Sequence, residues 1–565
     1  MENINSWQDI QWSNIENRIF RLQLRIYKAA ANQEWEKVHK IQKLLISSQS
    51  AKYLAVRNVT QDNPGKRTPG VDNKIFTSPK EKFHLANQLK IDGTSSPIRR
   101  TYIPKPDGSQ RPLGIPTITD RAKQSLVKLA LEPEWEAQFE AGSYGFRPGR
   151  SVLDATEALF AGISKKPKWV LDADISKCFD CINHKYLLEK CHTFPEMEKQ
   201  LRAWLRAGIL EGNTYAFPEL GTPQGGVISP LLANIALHGL RANLDQYINQ
   251  LPGHKANNRQ ALTYVRYADD FILMYPDKEI LIELKSITEK FLEPIGLELH
   301  PTKTRILHTF KSSSGLTFLG FDILQKPIWN KMREATKGVK PKQKFITLIK
   351  PSKEGVQRHK RNIRDTIRRY KGVSQKRLIQ KLNPIIRGWA LSKRTQTSSS
   401  TFQTLDQYLF IHLWKWARKR HPKMSKIQLK SKYWHTVNKA NWIFGVKTNN
   451  QVTLRLQTHS KIPIQRYAKV KGTASPFDGN LIYWATRTGK SPLIPPIKAK
   501  LIQEQKGRCG ICGNPFLPDD LIERDHIIPK TLGGKNIRKN VHAVHRYCHL
   551  NKTKVDMRNI RRKSK

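Results

Sequence analysis

The sequence predicts a multidomain α/β and α protein that ends in a small metal-stabilised unit. The chain has 565 residues, far more than a single hydrophobic core holds, so several domains are expected. Short β-branched or aromatic runs alternate with helical stretches from about Arg99 to Asp322, and an apolar helical period dominates beyond about residue 350. Three of the six cysteines fall in the last 60 residues, which indicates a metal site rather than a disulfide framework.

An amphipathic helix is predicted near the start of the chain. Ser13 and Glu16 have the spacing of a capping box. Apolar residues then recur at helical spacing at Ile15, Ile19, Leu22 and Ile26.

Beyond about residue 350 the sequence predicts basic helices. One carries its apolar stripe through Ile363 and Ile367, and two more are expected over Leu378–Trp389 and Phe402–Arg418. A basic helix usually presents a solvated face. Here the density of Arg and Lys beside tryptophans favours contact with RNA, with the rings either stacking on bases or packing in the core. The following segment, about 426 to 500, has aromatic residues among lysines and a Pro-rich end typical of a linker.

The charge of the chain indicates a polyanionic partner. Ninety-nine Lys and Arg oppose 46 Asp and Glu, giving a formal net charge of +53 and a pI near 10.2. A merely solvated surface mixes both signs, whereas basic runs along the whole chain are typical of phosphate binding. The sequence has no 18-residue apolar run and a polar N-terminus, so we expect no membrane partner and no signal peptide. The expected location is cytoplasmic, of bacterial type, with an organelle as the alternative.

Three aspartates lie at the ends of predicted strands. Asp269 and Asp270 occupy a turn between two apolar stretches, and Asp174 ends a third apolar run that would lie beside this hairpin in one sheet. Nucleotidyl transfer uses two divalent ions roughly 3.5 to 4 Å apart, held by carboxylates on adjacent strands. Mg²⁺ prefers such oxygen ligands. A Tyr-x-Asp-Asp string on its own is more often an ordinary hairpin turn, but this one does not stand alone.

Two further motifs surround these acids in the sequence. The run Gly221–Pro230 predicts a backbone-exposing turn before a helix, where a template base and an incoming nucleotide would pack. Upstream, a basic hairpin carries Lys105 and Arg111, which would clasp a triphosphate. The alternative is a plain loop and a hairpin with two cations.

The C-terminal unit has the ligand pattern of a tetrahedral zinc site. Cys509-x-x-Cys512 and His545-x-x-Cys548 give four ligands in two pairs. Zinc contributes on the order of 10 kcal/mol or more to the folding of such small domains. A purely structural zinc knuckle is one interpretation.

These motifs follow one another in the order found in a known family. The sequence resembles the multifunctional proteins encoded within group II introns, which are reverse transcriptases that also act as RNA maturases. The blocks that carry the resemblance are Arg111–Pro116, Ser143–Ser151, Ala173–Ile175, Pro223–Gly226, Tyr267–Asp270, Gly296–Leu299 before Lys303-Thr304, and Phe318–Phe321.

The resemblance implies a right-hand polymerase with fingers, a palm with an antiparallel sheet, and a helical thumb. The implied domains are fingers and palm at 1–335, thumb or domain X at 336–425, a DNA-binding domain and linker at 426–500, and a nuclease at 501–565. Asp174, Asp269 and Asp270 would hold two Mg²⁺ ions. Phe179 would be the steric gate against a ribonucleotide, and Gln224 would lie against the incoming nucleotide. We interpret Cys178-x-x-Cys181 as incidental.

Between the two zinc-ligand pairs the sequence resembles the HNH nucleases, which form a ββα-metal fold. By that resemblance Asp525 and His549 would bind one divalent ion, His526 would take the proton from the attacking water, and Asn540 would fix the loop. A histidine suits this role because its pKa lies near working pH. Relatives often have a second Cys-x-x-Cys pair, and here His545 takes the first of those places.

The expected function is that of a group II intron protein that polymerises DNA on RNA, promotes splicing and nicks target DNA. Its expected partners are its own intron RNA, target DNA and deoxynucleoside triphosphates, and a homodimer is left open. One alternative is an RNA-binding splicing factor with inactive enzymatic sites. Another is a reverse transcriptase of a different bacterial element, such as a retron.

Overall fold

The computed structural model describes residues 5–104, 108, 110–211, 214–216, 220–222, 225–310, 315–328, 345–438, 440–449, 451–492, 494–517 and 520–563. Within these residues the strands form five sheets. The strands are β1 Ile98–Pro104, β2 Gln110–Ile115, β3 Trp169–Asp174, β4 Ile209–Glu211, β5 Thr214–Ala216, β6 Thr263–Tyr267, β7 Asp270–Tyr275, β8 Arg305–His308, β9 Leu316–Phe318, β10 Phe321–Pro327, β11 Phe345–Pro351, β12 Trp434–Val437, β13 Ala440–Thr448, β14 Gln451–Arg455, β15 Ile522–His526 and β16 Val541–His545.

Helices surround these sheets along the described chain. The α-helices are Trp12–Ala31, Trp35–Ser47, Gln49–Arg57, Pro79–Gln88, Ile118–Gln138, Val152–Ile163, Cys178–Cys181, His184–Cys191, Pro195–Leu205, Ser229–Ala236, Leu240–Ile248, Lys255–Ala261, Lys278–Leu292, Lys353–Arg369, Gln375–Lys393, Ser399–Arg420, Lys426–Tyr433, Leu481–Gly489, Pro496–Glu504 and Arg546–Lys563. None of them combines the length and the apolar character needed to cross a membrane.

The N-terminal helix forms as predicted, but its predicted capping box is wrong. The helix begins at Trp12, one residue before Ser13, and no side chain caps it. Glu16 instead forms an ion pair with the buried Arg57, with 2.6 Å between Oε1 and Nη2. A tertiary partner therefore takes the carboxylate that local spacing assigns to the helix terminus.

A four-stranded antiparallel sheet in the order β6-β7-β3-β8, here called the central sheet, holds the acidic residues. Its middle strands are almost continuously apolar because both faces are covered. Phe271–Met274 are fully buried, and the helices Lys278–Leu292 and Val152–Ile163 pack against the sheet. The predicted hairpin at Asp269 and the neighbouring strand that ends in Asp174 are both confirmed.

A second sheet has the order β2-β1-β4-β5 and contains the predicted basic hairpin. Strands β1 and β2 are antiparallel, with Ile103 opposite Arg111. Lys105 and Gln224, both predicted to contact substrate, lie outside the described residues.

The three helices predicted beyond residue 350 are confirmed as Lys353–Arg369, Gln375–Lys393 and Ser399–Arg420. They form a bundle, here called the helical bundle, with an apolar core. The sheet β12-β13-β14, which the sequence did not predict, adds Trp434 and Phe444 to the same core.

The chain after β14 returns to the central sheet. The buried carboxylate of Asp154 accepts hydrogen bonds from the Tyr467 hydroxyl at 2.9 Å and from the Val470 amide at 2.7 Å, and it pairs with Arg487. Trp484 packs in the core beneath the sheet. The segment predicted as one unit over 426–500 thus divides between two cores.

The C-terminal unit consists of the hairpin β15–β16 followed by the helix Arg546–Lys563, with Pro496–Glu504 packed on β16. It rests on the N-terminal helices. The Arg57 guanidinium lies between the rings of Trp12, at 4.7 Å, and Tyr547, at 5.0 Å, and the Tyr547 hydroxyl shares a hydrogen bond with Glu16. Burial raises the pKa of Glu16 even though Arg57 opposes that shift.

Candidate active sites and metal centre

The three predicted aspartates meet at one end of the central sheet. Asp174 and Asp270 are direct partners across the antiparallel pair β3–β7, and Asp269 precedes Asp270 in the turn. Ala268 takes a left-handed conformation, with φ of 60°, which closes this turn. Gly145 packs against it so closely that a Cβ at that position would collide with the Ala268 backbone.

Burial and mutual repulsion perturb these acids. Burial, then the charges of Asp269 and Asp174, raises the pKa of Asp270 from its ordinary value of 3.8 to about 7. Burial also raises the pKa of Asp269, with Asp174 adding to the shift. Like charges held this close are typical of a site that binds cations.

Two cations lie beside the acids. The Lys303 Nζ donates to Asp174 Oδ2 at 2.6 Å, and hydrogen bonding to Asp174 raises the pKa of Lys303. The charge of Arg111, on β2, acts to lower the pKa of Asp269. Arg111 is therefore near enough to act on Asp269 through its charge, and its contact with a triphosphate stays a prediction; Lys303 belongs to a sequence motif to which no role was assigned.

A fully buried arginine, Arg266, lies directly before the turn and was not identified from sequence. Its side chain is 0% exposed. The guanidinium donates to Asn234 Oδ1 at 2.9 Å, to Ser143 Oγ at 2.9 Å and to the Ala268 carbonyl at 3.3 Å. Its Nε also donates to the Tyr264 hydroxyl. The signal available was a charged residue inside an otherwise apolar strand.

Phe179 lies at the mouth of this region, five residues after Asp174. Its half-buried ring is 6.4 Å from the ring of Phe146, edge to face. The Thr222 amide donates to the Phe179 carbonyl, and Gly221 donates to Ile182. The described residues on either side of Gln224 are thus fixed at two places. Thr222 is bonded to Phe179, and Gly225 packs against β2.

The predicted zinc ligands come together in the C-terminal unit. The ligand atoms of Cys509, Cys512, His545 and Cys548 all lie within 4.8 Å of one another. Hydrogen bonding to Cys512 and then Cys548 lowers the pKa of the Cys509 thiol, and hydrogen bonding to Cys509 and then Cys512 raises the pKa of the Cys548 thiol, as expected for sulfurs close enough to share protons. Three sulfurs and one imidazole fit a closed tetrahedral zinc site. Cys178 and Cys181 take no part in this cluster.

Asp520 orients the histidine of this cluster and was not identified from sequence. Its Oδ2 is 3.3 Å from His545 Nε2, while His545 Nδ1 lies 3.4 Å from the Cys512 sulfur. A carboxylate on the outer nitrogen fixes the ring and raises its basicity as a ligand. Tyr547, stacked on His545 at 5.1 Å, connects this cluster to the N-terminal helices.

The nuclease residues predicted from sequence cluster on the β15–β16 hairpin and the helix that follows. The Asp525 Oδ1 is 3.4 Å from His549 Nε2. Glu523 accepts from His549 Nδ1 at 2.6 Å and so turns the other ring nitrogen towards Asp525. This pair suits one divalent cation. Glu523 is a second residue that sequence reasoning missed.

His526 and Asn540 have different positions in this unit. His526 Nε2 bonds the Asn536 side-chain oxygen at 3.1 Å, which leaves Nδ1 as the free base. Asn540 accepts from the Ile528 amide at 2.8 Å and donates to the Ile528 and Lys535 carbonyls, so it closes the loop between the strands.

Two further charged groups contact Asp525. Lys552 Nζ is 3.2 Å from its Oδ2, and His542 Nε2 is 3.3 Å away. Burial acts to raise the pKa of Asp525, but hydrogen bonds from Lys552 and His542 outweigh it and lower that pKa. The carboxylate is thus held ionised, as a metal ligand must be.

Substituting Asp270→Asn should stabilise the metal-free protein at high pH. The folded-state pKa of Asp270, about 7, lies above the ordinary 3.8. The contribution of this carboxyl to stability is therefore fully present below pH 4 and is lost as the pH rises through 7. At pH 8 in EDTA we expect a gain of about 1–2 kcal/mol, or roughly 2–4 °C in Tm. The gain should shrink at pH 5, and Asp365→Asn, an exposed control, should show neither effect. An Asp270→Asn variant with no pH-dependent gain would contradict the prediction.

Substituting Arg266→Met should destabilise the protein by about 3 kcal/mol or more, because several buried acceptors lose their donor. The control is Arg305→Met on β8, at the other edge of the same sheet, whose half-exposed guanidinium pairs with Asp172 at 2.9 Å. An exposed pair of this kind contributes about 0–1 kcal/mol. Urea denaturation of both variants measures the difference, and equal losses would refute the assigned role of Arg266.

Substituting His545→Ala should remove one of four ligands from the metal cluster. With Cd²⁺ in place of zinc, the intact protein should show charge-transfer absorption from three thiolates, and the variant should bind Cd²⁺ more weakly with the same thiolate bands. Glu504→Ala, which removes an exposed partner of Arg538, serves as the control. Unchanged Cd²⁺ affinity in His545→Ala would exclude the histidine as a ligand.

Four family models match successive parts of the chain. The model "Reverse transcriptase (RNA-dependent DNA polymerase)" matches residues 103–323, and "N-terminal domain of reverse transcriptase" matches 7–89. The model "Group II intron, maturase-specific domain" matches 356–434, and "HNH endonuclease" matches 509–554. The central sheet falls within the first of these matches, and the maturase and HNH matches overlap most of the helical bundle and of the C-terminal unit.

Curated relatives include bacterial proteins and a protein of a fungal intron. Protein YkfC of Escherichia coli is 32% identical, over 51% of this chain and 84% of YkfC. The group II intron-encoded protein LtrA of Lactococcus lactis is 32% identical over 48% of this chain. A 91 kDa protein in the cob intron of Schizosaccharomyces pombe is 30% identical over 48% of this chain. The alignments cover 54% of LtrA and 40% of the fission yeast protein. The chain belongs to the family of group II intron-encoded proteins that carry reverse transcriptase, maturase and HNH endonuclease domains.

Proposed function

We propose that this protein is an RNA-directed DNA polymerase and DNA endonuclease that works with the intron RNA that encodes it. The observation that carries the proposal is the meeting of Asp174, Asp269 and Asp270 at one sheet end with the cations Lys303 and Arg111 beside them. Three carboxylates with flanking cations suit metal-assisted transfer of a nucleotide.

The proposed architecture is a right hand. The central sheet is the palm, the sheet of β1 and β2 belongs to the fingers, and the helical bundle is the thumb. We keep the boundaries 1–335, 336–425, 426–500 and 501–565 for polymerase, thumb, DNA-binding segment and nuclease. The packing of Trp484 under the central sheet supports a DNA-binding segment that is fixed against the palm rather than suspended on a linker.

In the polymerase site Asp174, Asp269 and Asp270 would hold two Mg²⁺ ions, which lower the pKa of the primer 3′ hydroxyl and neutralise the triphosphate. The chain's own cations would also help to neutralise the triphosphate, because the charge of Arg111, on β2, acts on Asp269 in the same site. Phe179 would exclude a 2′ hydroxyl with its ring. Lys105 would bind the triphosphate, and Gln224 would lie against the incoming nucleotide.

In the nuclease site Asp525 and His549 would hold one divalent cation, which stabilises charge on the scissile phosphate. His526 would accept the proton of the attacking water at Nδ1, since Asn536 binds its other nitrogen. Asn540 holds the loop that follows His526. A zinc ion held by Cys509, Cys512, His545 and Cys548 would stabilise the β15–β16 hairpin and take no part in the cleavage reaction.

The intron RNA would bind along the helical bundle. A groove between Lys353–Arg369 and Ser399–Arg420 is lined by six cations: Arg364, Arg368, Lys371, Lys415, Lys419 and Arg420. Phosphate neutralisation by such a row supplies affinity without reading sequence. The protein would help the intron fold for splicing and then remain bound to it at a DNA target. There the nuclease would cut one strand, and the polymerase would extend the new 3′ end on the intron RNA.

Separate variants should divide the two activities. Asp269→Asn should abolish extension of a DNA primer on an RNA template with Mg²⁺, while nicking persists. His526→Ala should lower nicking of DNA that carries the rejoined intron-flanking sequence by about 10²- to 10⁴-fold, while primer extension persists. Each variant is the control for the other. Absence of both activities in the unmodified protein, with splicing intact, would favour the RNA-binding factor with inactive sites.

A further inference from the structure

An aromatic cluster on the helical bundle shares no residue with the basic groove or with the two active sites described above. Phe410 and Trp414 are one turn apart on the helix Ser399–Arg420, with ring centroids 6.0 Å apart and planes at 23°. The ring of Trp442, on β13, lies 5.8 Å from Phe410 and 6.2 Å from Trp414. We call these three rings the aromatic platform.

The platform is exposed although its rings are large and apolar. Phe410 is 38% exposed and Trp442 is 48% exposed, whereas Trp434 directly beneath is 4% exposed and belongs to the core. Trp442 also has a left-handed backbone, with φ of 62°. A bulky residue in this region is strained, and such strain accumulates at binding sites.

The chain segment that carries the platform is strongly basic. Between Asp406 and Asp478 the sequence has fifteen Lys and Arg residues and no Asp or Glu. Lys430 Nζ lies 4.8 Å from the centre of the Trp442 ring. Arg418 follows Trp414 by four residues and is exposed on the same helix face. This charge favours a polyanion and disfavours a basic or neutral protein partner.

We propose that the aromatic platform binds an unpaired base of the intron RNA by stacking on Trp442, while Lys430 neutralises the adjoining phosphate. Exposed rings among cations are the means by which proteins hold single strands, because every base has a face that stacks. The assignment to RNA rests on the proposed function, since Phe410, Trp414 and Lys430 lie within the match to the maturase-specific domain. A paired duplex has no free base face, so the platform distinguishes single-stranded from double-stranded segments.

The test uses the full-length protein and a short oligoribonucleotide that carries 2-aminopurine, a base whose fluorescence falls on stacking. Trp442→Ala should weaken single-strand binding at least about fivefold and reduce the quenching, and Trp442→Phe should retain most of both. Trp35→Ala is the matched control, since Trp35 is 38% exposed on a distant helix. Lys430→Gln should reduce the salt dependence by about one phosphate contact.

Several outcomes would overturn the proposal. If Trp442→Ala loses equal affinity for the single strand and for its blunt duplex, the loss comes from changed charge or from misfolding and not from base stacking. Circular dichroism and Tm of the variant would then distinguish misfolding from the change in charge. An equal or greater loss with the matching DNA strand would exclude RNA as the preferred ligand. If the unmodified protein binds RNA and Trp442→Ala binds it unchanged, the platform alone fails. If the unmodified protein binds no RNA, the proposed function fails as well.

Discussion

The hydrogen bonds of one buried guanidinium determine the geometry on which the polymerase site depends. Arg266 connects the acidic turn to Ser143 and to Asn234, so three segments far apart in the chain meet at one side chain. Those same three segments surround Asp269 and Asp270, whose charges repel each other and favour separation. The buried Arg266 guanidinium holds these segments in place, because its hydrogen bonds are strong in an environment without water. Packing and hydrogen bonding around Arg266 offset the repulsion between the neighbouring acids.

The parts predicted from sequence are those that local patterns control. Asp174 was placed beside the acidic turn because a buried strand has one register that keeps its apolar residues inside, and the turn itself marks where the neighbouring strand begins. The three helices of the bundle followed from periodicity. The zinc ligands followed from spacing, since two residues between cysteines bring both sulfurs to one ion.

The missed parts depend on contacts between distant segments. The role of Arg266 depends on its hydrogen bond to Ser143, more than a hundred residues earlier in the chain. The role of Asp520 depends on its contact with the ring of His545. Sheet β12-β13-β14 was missed because β12 and β14 are only four and five residues long, both strand pairings contain a register shift, and packing on the bundle decides their structure. The capping box at Glu16 was wrong because the pair with Arg57 outweighs a local preference.

The contact between Tyr547 and Arg57 makes the nuclease part of the polymerase's own surface. The Tyr547 ring covers one side of the Arg57 guanidinium, so a chain without the C-terminal unit would expose this guanidinium and its ion pair with Glu16. Exchange of the nuclease for another module would therefore require matching changes in the first helices. Asn514 joins the same two regions, because its side chain hydrogen-bonds Asn17 and the Ser13 carbonyl, so the nuclease and the first helix of the polymerase share one packed surface.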